Sequence, residues 1–163
     1  MELRSYQTES IDAVMSAFDR GVTRALVSMH TGAGKTVVFC RLASLMAGRT
    51  LIIAPMRELV WQAADKVREI NGDYADIEMA DYRSNATFPE RVVVASKQTL
   101  LSTSGGKKRY QKFLDIELVI VDEAHMQCSP AVVTMLNYFV DRGAKVVGFT
   151  ATPYRMDGQP LLG

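Results

Sequence analysis

Three observations make this sequence an α/β fold, a three-layer sandwich with helices on both faces of a central, mostly parallel sheet. Short runs of Val, Ile and Leu alternate with amphipathic helical patterns through all 163 residues. Those runs are apolar at nearly every position, as in Leu118 to Val121, which suits strands buried on both faces. A glycine-rich turn, Met29 to Thr36, joins one such strand to a helical run, the usual join of a parallel α/β unit.

The elements follow in order. Ser5 is placed to cap a helix in which Ile11, Val14, Met15 and Phe18 share one face, and Gly21 ends it. Ala25 to Ser28 is strand-like, and Val37 to Met46 continues as a helix. Thr50 to Ala54 is a β-rich run stopped by Pro55. From Arg57 to Ile70, residues Leu59, Ala63, Val67 and Ile70 line one helical face, closed by Asn71-Gly72. A weak strand is expected around Ile77 to Met79, then a loop from Asp81 to Glu90. Arg91 to Ala95 is the next strand, running into a helix-like turn from Gln98 to Leu101. Ser102 to Gly106 is the flexible-loop candidate, and the basic cluster Lys107, Lys108, Arg109 and Lys112 follows. Glu117 to Val121 forms a strand core. Ser129-Pro130 opens a helix, serine at the cap and proline in the first turn. Lys145 to Phe149 is the last strand. No internal repeat or low-complexity tract interrupts the pattern.

Length fits one domain, residues 1–163, large enough to bury a core. A hydrophobic content of 48% with 23% charged residues is that of a globular protein. The net charge of +1 excludes a uniformly basic surface, so any contact with nucleic acid must come from a local patch. No apolar run reaches membrane-spanning length, and the start carries no signal core. The two cysteines, Cys40 and Cys128, lie beside apolar residues and suit packing in a reducing compartment better than a disulfide. Cytoplasm is the expected location.

The turn carries the chemistry. Within Thr31-Gly32-Ala33-Gly34-Lys35-Thr36, the glycines let the backbone curl so that several N–H groups face one anion. The following helix adds its positive end. Lys35 can reach the β- and γ-phosphates of a nucleoside triphosphate, and the Thr36 hydroxyl can ligate Mg²⁺. The general pattern opens with a glycine where this sequence has Met29. His30 is read as incidental.

Downstream, Asp122-Glu123-Ala124-His125 ends a buried strand, the end at which open parallel sheets hold ligands. Asp122 is the expected Mg²⁺ partner of Thr36, and Glu123 the group that orients and deprotonates an attacking water. His125 is placed to reach toward Thr150-Ala151-Thr152, which also ends a strand.

Six ordered segments then carry a resemblance: Leu3 to Gln7, Thr31 to Thr36, Pro55 to Gln62, Ser96 to Leu100, Asp122 to His125, and Thr150 to Arg155. Together they resemble the first, RecA-like motor domain of a superfamily 2 helicase or translocase. The nearest group is the DEAH-containing one that includes motor subunits of type III restriction enzymes and related phage and repair helicases. A non-glycine opening to the phosphate loop, as at Met29, is common there. The resemblance implies that Gln7 reads adenine, with Arg4 beside the base. It implies that Pro55, Arg57, Ser96, Lys97, Gln98 and Thr99 lie along a bound strand. It also implies that His125, Thr150 and Thr152 link hydrolysis to domain movement. The basic cluster after Gly106 is a further, weaker nucleic-acid candidate.

The resulting expectation is ATP- and Mg²⁺-dependent movement along nucleic acid, DNA rather than RNA, by analogy with the DNA-acting branch. Such a motor has a second RecA-like domain whose arginines complete the ATP site, so this sequence reads as half a motor. Two other readings are a P-loop kinase or NTPase acting without a polymer, and a nucleotide-dependent binding module that does not hydrolyse. Stimulation of turnover by nucleic acid separates them from the motor.

Overall fold

The computed structural model describes residues 2–30, 34–84 and 89–151. Its core is a six-stranded sheet in which every pairing is parallel. The strands are β1 (Arg24–Ser28), β2 (Arg49–Ala54), β3 (Ala75–Glu78), β4 (Val92–Ser96), β7 (Ile116–Val121) and β8 (Lys145–Thr150), in the spatial order β1-β8-β7-β2-β4-β3. Between β4 and β7 a small antiparallel hairpin is formed by β5 (Thr103–Ser104) and β6 (Lys107–Lys108).

Helices α1 (Ser5–Asp19), α2 (Lys35–Leu45) and α3 (Arg57–Asn71) cover one face. The short α4 (Lys97–Leu101) and α5 (Pro130–Asp141) cover the other. Alternation along each strand divides the core. Ile52 and Ala54 of β2 pack with Ile11, Val38 and Val60, while Leu51 and Ile53 pack with Leu100, Met135 and Phe139. A period of two sends successive side chains to opposite faces, and both are covered along the central strands, so the middles of β2, β4 and β7 are unbroken apolar runs. The expected three-layer fold is the observed one.

Three local expectations need correction. The first helix begins at Ser5, and its N-cap is Arg4, whose backbone N–H donates to Gln7 Oε1 at 2.9 Å. Gln7 at N3 thereby satisfies the N-cap N–H, the reciprocal half of a capping box. Residues 102–106 enter the β5–β6 hairpin, with Gly105 and Gly106 at φ +60° and +82° making its turn. A two-glycine turn with positive φ at both centres suits hairpin twist, which explains why a loop-like composition folds as paired strands. Within residues 81–84, Tyr82 pairs with Met79 in an isolated antiparallel bridge.

Where glycine ends a helix, the reading holds: Gly72 takes φ +74° at the C-cap of α3. Ser129 Oγ accepts from the Val132 N–H at 3.4 Å, with Pro130 at the first helical position of α5. Both cysteines are free. Burial pushes the Cys40 thiol up to about 12, so it is an inert apolar filler.

Candidate nucleotide and nucleic-acid site

Parallel strands all end on the same side, so the turns leaving β1, β7 and β8 meet at one edge of the sheet. There Lys35, the first residue of α2, pairs with Glu123 and lies 3.3 Å from Asp122. One cation between two carboxylates at a helix N-terminus is a donor set suited to a metal-bound polyphosphate: the helix end and Lys35 for phosphate, the carboxylates for the metal. Asp122 is 5% exposed, and burial raises its carboxyl above the ordinary 3.8 although Lys35 and His125 oppose the rise.

Gly34 is the N-cap of α2 at φ +78°. A Cβ there would come within 2.5 Å of Gln7 Nε2 and push that amide aside, and the left-handed φ favours glycine. Gln7 itself is buried and donates from Nε2 to the Gly34 carbonyl at 3.4 Å, which ties α1 to the start of α2. Arg4 is exposed beside it, with Nη1 donating to Tyr6 Oη at 3.2 Å. Thr36 is half-buried and borders a hollow of about 300 Å³ shared with Gln62, Asp65 and Lys66. Thr31, Gly32, Ala33 and Thr152 lie outside the described residues. Met29 places its side chain in the core and donates its N–H to the Thr150 carbonyl at 2.9 Å. The non-glycine opening of the loop is therefore a packed strand end.

Glu123 takes φ +49°, ψ 53°, a left-handed conformation that a non-glycine residue holds at a cost of about 1–2 kcal/mol. Its carboxylate is thereby aimed at Lys35 and lies 3.5 Å from His125 Nε2. On its other side His125 Nδ1 is hydrogen-bonded to Thr150 Oγ1 at 2.8 Å. Lys35, Glu123, His125 and Thr150 form a continuous polar chain from α2 to the end of β8. Gln127, absent from the sequence reading, supports this turn: fully buried, its Nε2 donates to the Asp122 and Ile53 carbonyls. The signal available in the sequence was a lone glutamine four residues past an acid pair, too weak to single out.

The other half of the edge is formed by the ends of β2, β4 and β3. Pro55 is half-buried, while Arg57 and Gln98 are exposed. Lys97 Nζ donates to the Met126 carbonyl at 3.1 Å. Ser96 and Thr99 are buried: Ser96 Oγ accepts from the Thr99 N–H, and Thr99 Oγ1 accepts from the Ala80 N–H. Their hydroxyls serve the protein, so among the expected contact side chains Arg57 and Gln98 are the outward ones.

The basic cluster after Gly106 proves to be partly internal. Arg109 is buried and forks onto Glu78 at 2.8 and 3.1 Å, and Lys112 reaches the same carboxylate at 2.6 Å. A fully buried carboxylate requires such partners. Burial raises the Glu78 carboxyl, but the hydrogen bonds from Lys112, Ser84 and Arg109 outweigh it and hold Glu78 below its ordinary 4.5. Lys107 and Lys108 are the exposed cations of that cluster that do not pair with Glu78; Lys112 is exposed but bound to it.

A family model described as type III restriction enzyme, res subunit, matches residues 1–155. This chain belongs to that family. Its fold is that of RecA-like helicase motor domains, in agreement with the superfamily 2 resemblance carried by the six motifs. The UvsW helicase of bacteriophage T4 superposes with a TM-score of 0.69 at 20% identity, over 94% of this chain and 54% of that one. IRC3 of Saccharomyces cerevisiae, which bears the name of an ATP-dependent helicase, is 33% identical over 98% of this chain and 24% of its own length. The DNA 3′-5′ translocase XPB2 of Sulfurisphaera tokodaii is 28% identical over 99% of this chain and 33% of its own. The chain thus spans about a quarter of IRC3 and a third of XPB2. Among the described residues no helix is long and apolar enough to cross a membrane.

Proposed function

We propose that this chain is the ATP-binding half of a motor that moves along nucleic acid, DNA in the first place. The carrying observation is the polar chain from Lys35 through Glu123 and His125 to Thr150. It joins a phosphate-binding lysine to a strand end that leads away from the site, as a device that reports phosphate occupancy must.

In this reading the γ-phosphate takes Lys35 from Glu123. The freed carboxylate would then accept a proton from the attacking water, and Asp122 and Thr36 would hold the metal. Bound Mg²⁺ would supply charge neutralisation on the phosphate oxygens. Gln7 and Arg4 would flank the adenine, and Arg57 and Gln98 would lead the contacts to the strand. The name of XPB2 supports DNA as the track. The length of the relatives beyond the part matched here supports a second RecA-like domain.

The test is phosphate release by the longer protein with no polymer, single-stranded DNA, duplex DNA and RNA. Stimulation by DNA above RNA supports the reading, and equal turnover in all four replaces it with an NTPase that acts without a track.

A further inference from the structure

Trp61 and Tyr82 form an exposed aromatic pair that the nucleotide chemistry does not use. Their rings meet edge-on at 5.2 Å and 89°, and the residues stay 37% and 48% exposed. Trp61 lies one turn into α3, directly after the end of β2, and Arg57 precedes it by four positions on the same helical face. Tyr82 comes from the segment after β3. That segment is held in place by the Ala80 N–H on Thr99 Oγ1, by Arg109 donating to the Ala80 and Tyr82 carbonyls, and by the Met79 bridge. An exposed tyrosine anchored through its backbone by a buried arginine is a preorganised surface.

Two exposed cations flank the pair, Arg57 before Trp61 and Arg83 after Tyr82. Among the described residues neither has an ion-pair partner. An edge-to-face arrangement also leaves the ring that presents its edge with faces its partner does not cover. Aromatic faces between unpaired cations match a polyanion whose neutral parts are flat and apolar, and a protein surface would need carboxylates to answer the same charges.

We propose that Trp61 and Tyr82 are a base-stacking platform for single-stranded nucleic acid, with Arg57 and Arg83 taking the adjacent phosphates. This rests on the nucleic-acid reading of this edge and adds that bases, as well as backbone, are gripped there. Stacking on an aromatic side chain tolerates any base, so the platform carries no sequence preference.

The experiment measures fluorescence anisotropy of labelled oligothymidylate and of an abasic strand of equal length, which has the same phosphates and no bases. Trp61→Leu or Tyr82→Leu should weaken oligothymidylate binding about 5- to 100-fold while leaving the abasic strand and the salt slope unchanged. Trp61→Phe should retain most of the affinity. Because Trp61 is the only tryptophan, its emission in the unmodified protein should be quenched by oligothymidylate and not by the abasic strand. Equal loss on both strands, or no loss on either, overturns the platform. In that case a drop on both strands from Arg57→Ala would keep the backbone contact alone. If unmodified protein binds a duplex of equal length but neither strand, the platform falls and the nucleic-acid reading stands; if it binds none of the three, both fall.

Discussion

At the scale of single residues, charge decides the site. Lys35→Ala should lose nucleotide affinity roughly 10- to 100-fold, since a charge-assisted contact to phosphate disappears; a fluorescent-nucleotide titration reads this directly. Glu123→Gln in the longer protein should bind ATP and hydrolyse it about 10²-fold more slowly or worse, because an amide cannot accept the water's proton. Single-turnover phosphate release checks it.

Asp122 allows a test in the opposite sense. Its carboxyl is raised in the native state, so ionising it costs stability that is intact below 3.8 and is lost as pH rises through the native value. Asp122→Asn removes that cost. It should melt higher than the unmodified chain near pH 7, converge with it in acid, and lose the Mg²⁺ dependence of nucleotide binding. Calorimetry at two pH values, with a Mg²⁺ titration, separates the effects. A variant less stable at neutral pH would mean that attraction to Lys35 outweighs desolvation.

At the scale of elements, the ion cluster on Glu78 docks three segments: β3, the chain through residue 84, and the turn holding Arg109 and Lys112. Glu78→Gln leaves those cations facing a neutral group and should cost about 3 kcal/mol at neutral pH, read by urea unfolding. The native carboxyl is depressed, so its contribution is present above 4.5 and is lost as pH falls through the lower native value. The variant and the unmodified chain should then converge.

The same comparison shows what sequence could and could not disclose. Lys35, Asp122 and Glu123, which the fold brings together, stood out in the sequence because each lies in a short contiguous pattern. The strands were legible because burial on both faces writes itself as unbroken Val and Ile. Glu78 with Arg109, 31 positions apart, leaves no such mark, and Arg109 looked like surface charge in a basic run. Gln127 was hidden for the same reason: its partners are main-chain carbonyls, which have no sequence signature.

For the whole molecule, the edge of the sheet splits into two halves, the proposed phosphate site at the ends of β1, β8 and β7 and the outward Arg57 and Gln98 at β2 and β4. The phosphate-binding side supplies a lysine, two carboxylates and a helix end, with no arginine among the described residues assigned to the γ-phosphate. Residues 1–163 should therefore melt cooperatively yet release negligible phosphate even with saturating DNA, since a supplied arginine contributes about 10³- to 10⁵-fold in such reactions. Vigorous DNA-stimulated release by this length alone would contradict the half-motor.

The strand order also governs how the molecule comes into being. β1, which feeds the phosphate loop, pairs only with β8, so Arg24 waits for Val146 before its ladder can close. On a ribosome, β2, β3, β4 and β7 can already stand as a four-stranded sheet while the loop that precedes Lys35 still hangs from an unpaired strand. Nucleotide-binding competence should thus arrive last and abruptly, when β8 slides between β1 and β7. Nascent chains arrested before Lys145 should be compact, unable to retain ATP, and exposed to chaperones along the open side of β7.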